Sequence, residues 1–86
     1  EETESSYYVR LHVDDEPGVL GRIATAFGES GVSLKSVIQT RKVENHAEIV
    51  AVTHVAQHKH LQMAADSLNG LGVVNSIRSV IRVEQD

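Results

Sequence analysis

Val13-Asp14-Asp15-Glu16-Pro17-Gly18-Val19-Leu20 is the stretch on which the fold turns. Before it, Tyr7 to Val13 alternates. Val9, Leu11 and Val13 share one side, and Tyr8, Arg10 and His12 the other, which is the pattern of a half-buried strand. After it, Leu20, Ile23, Ala24 and Phe27 recur at helical spacing. Pro17 suits the first turn of a helix, where its missing N–H costs nothing. Gly31, one residue past Ser30, is a left-handed stop. A helix is therefore expected over 17–30.

The rest of the chain repeats the theme. Val32 to Arg41 alternates, with Val32, Leu34, Ser36 and Ile38 set against Ser33, Lys35, Val37 and Gln39. Lys42 to Asn45 is polar and reads as a hairpin turn. Ala47 to Val55 is a third strand, with Ile49, Ala51 and Val55 on one side. Val50 and Val52 lie on the other, so this strand is expected to be covered on both faces. Gln57 to Asn69 carries Leu61, Ala64, Ala65 and Leu68 at helical spacing, and Gly70 and Gly72 end it. Val73 to Glu84, with Ile77, Val80, Ile81 and Val83, reads as a last strand. Glu1 to Ser6 is a polar lead-in, which leaves one domain over 7–84.

Strand-helix-strand-strand-helix-strand is an α+β order, the ferredoxin-like βαββαβ sandwich. Right-handed crossovers place both helices on one face of a four-stranded antiparallel sheet. The opposite face is expected to carry Tyr8, Arg10, His12, Val37, Gln39, Val50, Val52, His54, Val80 and Arg82. Its apolar members read as a surface covered by a partner subunit or domain. Scattered surface apolar residues are the plainer alternative.

Composition narrows the functions. Of 86 residues, 41% are hydrophobic and 23% charged, which is ordinary for one globular domain. A chain of this length buries about 60–65% of its unfolded surface, so an oligomer would add needed stability. The net charge of −4 argues against general nucleic-acid binding, which needs clustered Lys and Arg. An RNA-binding module of this topology would also need sheet aromatics, and aromatics are 3% of the chain. There is no cysteine, which removes disulfides, thiolate metal sites and cysteine nucleophiles and fits a cytoplasmic protein. No apolar run approaches the roughly 18–20 residues of a membrane span, and no signal peptide is visible. The start at Glu1 rather than Met reads as a piece of a longer protein.

The junction is also the first candidate site. The N–H groups of Gly18, Val19 and Leu20 are placed to meet a carboxylate at a helix N-terminus, and Gly18 allows close approach. Asp15 supplies an acceptor for an ammonium. A free amino acid carries both groups. The alternative is that Asp14, Asp15 and Glu16 merely cap the helix. Ser33, in Gly31-Val32-Ser33, offers a hydroxyl at an edge strand, or is simply solvated. His12, His46, His54, His58 and His60 form no zinc spacing and read as solvated. Nothing resembles a nucleophile elbow or paired carboxylates, so neither catalytic nor metal-binding residues are assigned.

Asp15-Glu16-Pro17-Gly18-Val19-Leu20, followed by Gly31-Val32-Ser33 within the six-element order, resembles the ACT domain, an amino-acid-binding regulatory module. The likeness spans about residues 7–84. Ser6-Tyr7-Tyr8-Val9-Arg10-Leu11, Ser36-Val37-Ile38-Gln39, Ala47-Glu48-Ile49-Val50-Ala51-Val52-Thr53-His54 and Val80-Ile81-Arg82-Val83-Glu84 are similar to the C-terminal ACT domain of bacterial homoserine dehydrogenases. The resemblance implies a catalytic region using NAD(P), with no cofactor in this domain, and feedback control by threonine. It also implies a ligand held at an ACT–ACT interface, in a homodimer or higher oligomer, between the loop before the first helix and the start of the second strand. By that resemblance Asp15 contacts the amino acid, Pro17, Gly18, Val19 and Leu20 form its loop, and Ser33 stands where Asn is frequent. The alternatives are a dimerisation module without ligand and an ACT domain of another amino-acid pathway.

Overall fold

A computed structural model describes residues 4–83. Its elements are β1 (Glu4–Asp14), α1 (Val19–Glu29), β2 (Leu34–Val43), β3 (His46–Thr53), β4 (Ala56–Gln57), α2 (His58–Asn69) and β5 (Val74–Val83). β1 lies between β3 and β5, and β2 lies outside β3, all pairs being antiparallel. The four-stranded ferredoxin-like sheet is therefore ordered β2-β3-β1-β5. The two-residue β4 pairs with Glu4 and Ser5 of β1.

The core forms where alternation in the strands meets the helical stripes. Tyr7, Val9, Leu11 and Val13 of β1, with Ile49 and Ala51 of β3, pack under Ile23 and Phe27 of α1 and Leu61, Ala64 and Leu68 of α2. Burying side chains of this kind contributes about 1.5–3 kcal/mol each. Gly31 is left-handed, at φ 84, and ends α1 as expected. The stripe on α1 differs in phase from expectation. Val19, Ile23, Ala26 and Phe27 are buried, while Leu20 is 46% exposed and Ala24 is also exposed.

Several boundaries move. β1 starts at Glu4 rather than Tyr7, and Ser5 is buried. The polar lead-in thus includes three strand residues, because β4 partners Glu4 and Ser5 and β5 partners Ser6. Residues 1–3 and Glu84 lie outside the described residues. α1 begins at Val19, not Pro17, because Gly18 takes a left-handed φ of 84 as its N-cap. β3 stops at Thr53, leaving Val55 exposed. The break is compensated locally, since the buried Tyr7 N–H donates to Thr53 Oγ1 at 3.0 Å.

Two faces are also reassigned. In β2 the register skips between Leu34 and Ser36, a bulge at Lys35 that flips the alternation. Val37 therefore packs against the core and Ile38 stands on the open face, 49% exposed. In β5 a second skip, opposite Arg10 and Leu11, puts Ile81 beside Tyr8 and Val80 beside Val9. Val80 and Arg82 consequently line the helix side with Leu61 and Ala65. Gln39 pairs with the buried Ile49, so it too belongs to the helix side. Tyr8, Arg10, His12, Val50 and Val52 are on the open face as expected, in register with one another.

Candidate functional site at the start of the first helix

The chain leaves β1 through backbone locks. The Asp14 N–H donates to the Val73 carbonyl and the Asp15 N–H to the Asn45 carbonyl, each at 2.7 Å. They tie the junction to the start of β5 and to the β2–β3 turn. Glu16 then donates to the Asp14 carbonyl, and Val19 to the Glu16 carbonyl. The three acids do not cap α1, whose N-cap Gly18 has no side-chain cap. Each turns elsewhere. Asp14 Oδ1 accepts from Asn75 at 3.1 Å and lies 3.6 Å from His46 Nδ1. Glu16 is 4.0 Å from Arg22. Asp15 forms a 2.9 Å ion pair with Lys42.

Asp15, though not Lys42, lines a cleft of about 220 Å³ together with Gly18, Val19, Leu20, Gln39 and Ile49 among others. Its floor is apolar and its rim carries the helix start. Of the three N–H groups expected to meet a carboxylate, Val19's is already spent on Glu16. Those of Gly18 and Leu20 are left at the open end of the helix, where the partial positive charge is concentrated. Pro17 is exposed and shapes the turn without lining this cleft.

Ser33 is not part of that cleft. It lines a separate groove with Ala24, Gly28, Gly31, Val32 and Leu34. α1 has 11 residues, about 16 Å at 1.5 Å per residue, and the two sites lie at its opposite ends. Within one copy, Asp15 and Ser33 are not brought together.

Lys42 is the residue that sequence reasoning missed. Simple alternation left it in a turn. A second skip in β2, between Gln39 and Arg41, places it opposite the buried Ala47, on the helix side. The sequence carried no signal for this skip. Among the described residues, no group of three or more His, Cys, Asp or Glu side chains is placed to hold a metal ion. No helix among them is long and apolar enough to cross a membrane.

Comparison with known proteins follows the same lines. The family model for the ACT domain matches residues 7–73. A homoserine dehydrogenase of Neisseria gonorrhoeae is 38% identical over 85 residues, covering 98% of this chain and 20% of that protein. One of Mycobacterium tuberculosis is 41% identical over 86 residues, covering 94% of this chain and 20% of that protein. The crystal structure of a homoserine dehydrogenase from Thiobacillus denitrificans superposes with a TM-score of 0.85 at 28% identity, over 95% of this chain and 18% of that one. The chain thus spans about one fifth of the length of the curated relatives it matches.

Proposed function

The chain belongs to the ACT domain family, and from that membership we propose that it is the amino-acid-sensing part of a cytoplasmic homoserine dehydrogenase, with threonine as the effector. The observation that carries the ligand reading is the cleft beside the start of α1 that Asp15 lines, with Lys42 ion-paired to Asp15 at 2.9 Å. A zwitterion complements such a pair. Its ammonium meets Asp15, and its carboxylate meets Lys42 and the N–H groups of Gly18 and Leu20. Among the lining residues Gln39 alone carries an uncharged hydrogen-bonding side chain. It is the partner we assign to the threonine hydroxyl. A site that bonds a hydroxyl rejects an analogue lacking it by up to about 10⁴-fold, which an apolar pocket does not achieve for valine.

Ser33 joins through a second copy. Two α1 helices side by side, related by a two-fold axis, set the Asp15 loop of one copy against the Gly31–Ser33 segment of the other. Each ligand then touches both copies. Threonine binds one arrangement of the pair more tightly and biases the attached catalytic region by population shift, giving feedback control. A nicotinamide cofactor belongs to that catalytic region. The β1–α1 junction does not suit one, since Asp15 and Glu16 would repel a pyrophosphate.

A second reading has one observation in its favour. Lys42 already neutralises Asp15, as befits a pairing module that takes no ligand. Amide chemical shifts on titration with threonine separate the two. Changes centred on Gly18, Leu20, Gln39 and Lys42, lost in Asp15→Ala, support sensing. An unperturbed spectrum supports pairing alone.

A further inference from the structure

α2 turns a mixed stripe toward the last strand. His58, Leu61, Gln62 and Ala65 stand at i, i+3, i+4 and i+7, on one face of the helix. With Tyr7, Val80 and Arg82 of the sheet they line a pocket of about 370 Å³ between α2 and β5. A helix face packed tightly on a sheet is apolar, and this one carries His and Gln. The skip opposite Arg10 and Leu11 sets Arg82 beside Tyr7 and turns it to the helix side. Val80 is on that same side yet 45% exposed, so α2 does not close over it.

We infer that this pocket binds a small carboxylate that has an apolar body and lacks an ammonium group. It shares no lining residue with the cleft at Asp15, so the inference stands apart from the threonine reading.

The polar groups of the pocket favour an anion. Arg82 has no ion-pair partner among the described residues, and its planar guanidinium matches a carboxylate with two parallel hydrogen bonds. Gln62 adds an amide N–H donor. The hydroxyl of Tyr7, a residue only 2% exposed, lies 3.4 Å from His58 Nδ1. With Tyr7 as donor, the neutral imidazole carries its proton on Nε2, which is one donor more.

The rest of the lining selects the body of the ligand. Leu61, Ala65 and Val80 supply an apolar wall. No lining residue is acidic, so an ammonium finds no countercharge and is repelled by Arg82. A free amino acid is disfavoured for that reason, whereas the same acid without its amino group is not. The volume is that of a small-ligand site.

Titration of the 86-residue chain with isocaproate, followed by amide chemical shifts, tests this. Leucine is isocaproate with an added ammonium, isocaproamide lacks the charge, and inorganic phosphate lacks the apolar body. The expected result is saturable shifts at His58, Gln62, Ala65 and Arg82, with Gly18 and Lys42 unmoved. Each of the three comparison compounds should bind about tenfold more weakly or worse, and Arg82→Gln should weaken isocaproate binding about tenfold or more. Ala65→Leu should fill the pocket and block binding with Arg82 in place. Arg82 is exposed, so circular dichroism should show Arg82→Gln folded, and that variant decides the matter if Ala65→Leu does not fold. Absence of saturable shifts overturns the proposal. So does equal affinity for leucine, for the amide or for phosphate, and so does an affinity that Arg82→Gln leaves unchanged.

Discussion

Removing the Asp15 carboxylate separates two contributions. In the free chain it pairs with Lys42, an ion pair whose side chains are 28% and 60% exposed. Exposed pairs of this kind stabilise by no more than about 1 kcal/mol. Asp15→Ala should therefore shift a denaturant midpoint only slightly while abolishing amino-acid binding, and equal affinity in parent and variant would remove Asp15 from the site. Gln39→Leu should leave affinity for valine intact and erase the preference for threonine over it, as read by competition titration. Glu48 offers a pH test. The hydrogen bond from Arg10 holds its carboxyl below the usual 4.5. A carboxyl whose folded pKa lies below its unfolded one stabilises above the unfolded value, and that contribution disappears as pH falls through the folded value. The melting-temperature difference between parent and Glu48→Gln should therefore be present at neutral pH and shrink below 4.5.

At the level of elements, the skip at Lys35 decides which face of β2 is which. Val37→Ala, on the packed side, should cost about 1–2 kcal/mol, and Ile38→Ala less than about 0.5 kcal/mol in the single chain. A reversed order would restore the unbroken alternation. Gly31→Ala tests the helix stop. Its Cβ would meet nothing closer than His60 Nδ1 at 3.5 Å, so the cost is that of a left-handed φ of 84, about 1–2 kcal/mol. Element types were legible because Val9-Leu11-Val13 and Leu61-Ala64-Leu68 match strand and helix periods without ambiguity. Faces were less so. Val37-Ile38 and Val80-Ile81 are adjacent apolar pairs, and only the pairing partner, Ala51 for Val37 and Tyr8 for Ile81, says which member turns inward. Bulges leave no mark in a period-2 pattern, so the same blindness hid Lys42.

For the whole molecule, the sequence announced a junction with acids, Pro and Gly, but not what the acids touch. Asp14, Asp15 and Glu16 look alike in sequence. They diverge to Asn75, Lys42 and Arg22 because β5, β2 and α1 approach the junction from three directions. Ser33 was legible as an exposed residue near an edge, and its distance from Asp15 emerges only when α1 is seen to separate them. In the proposed function, that separation is what brings a second copy into the sensing site. The most direct check of the central claim is calorimetric titration of the self-associated chain with threonine, serine, valine, isoleucine and lysine in turn. The account predicts saturable binding with threonine preferred, one ligand per chain. No heat with any of the five would contradict it and leave a pairing module.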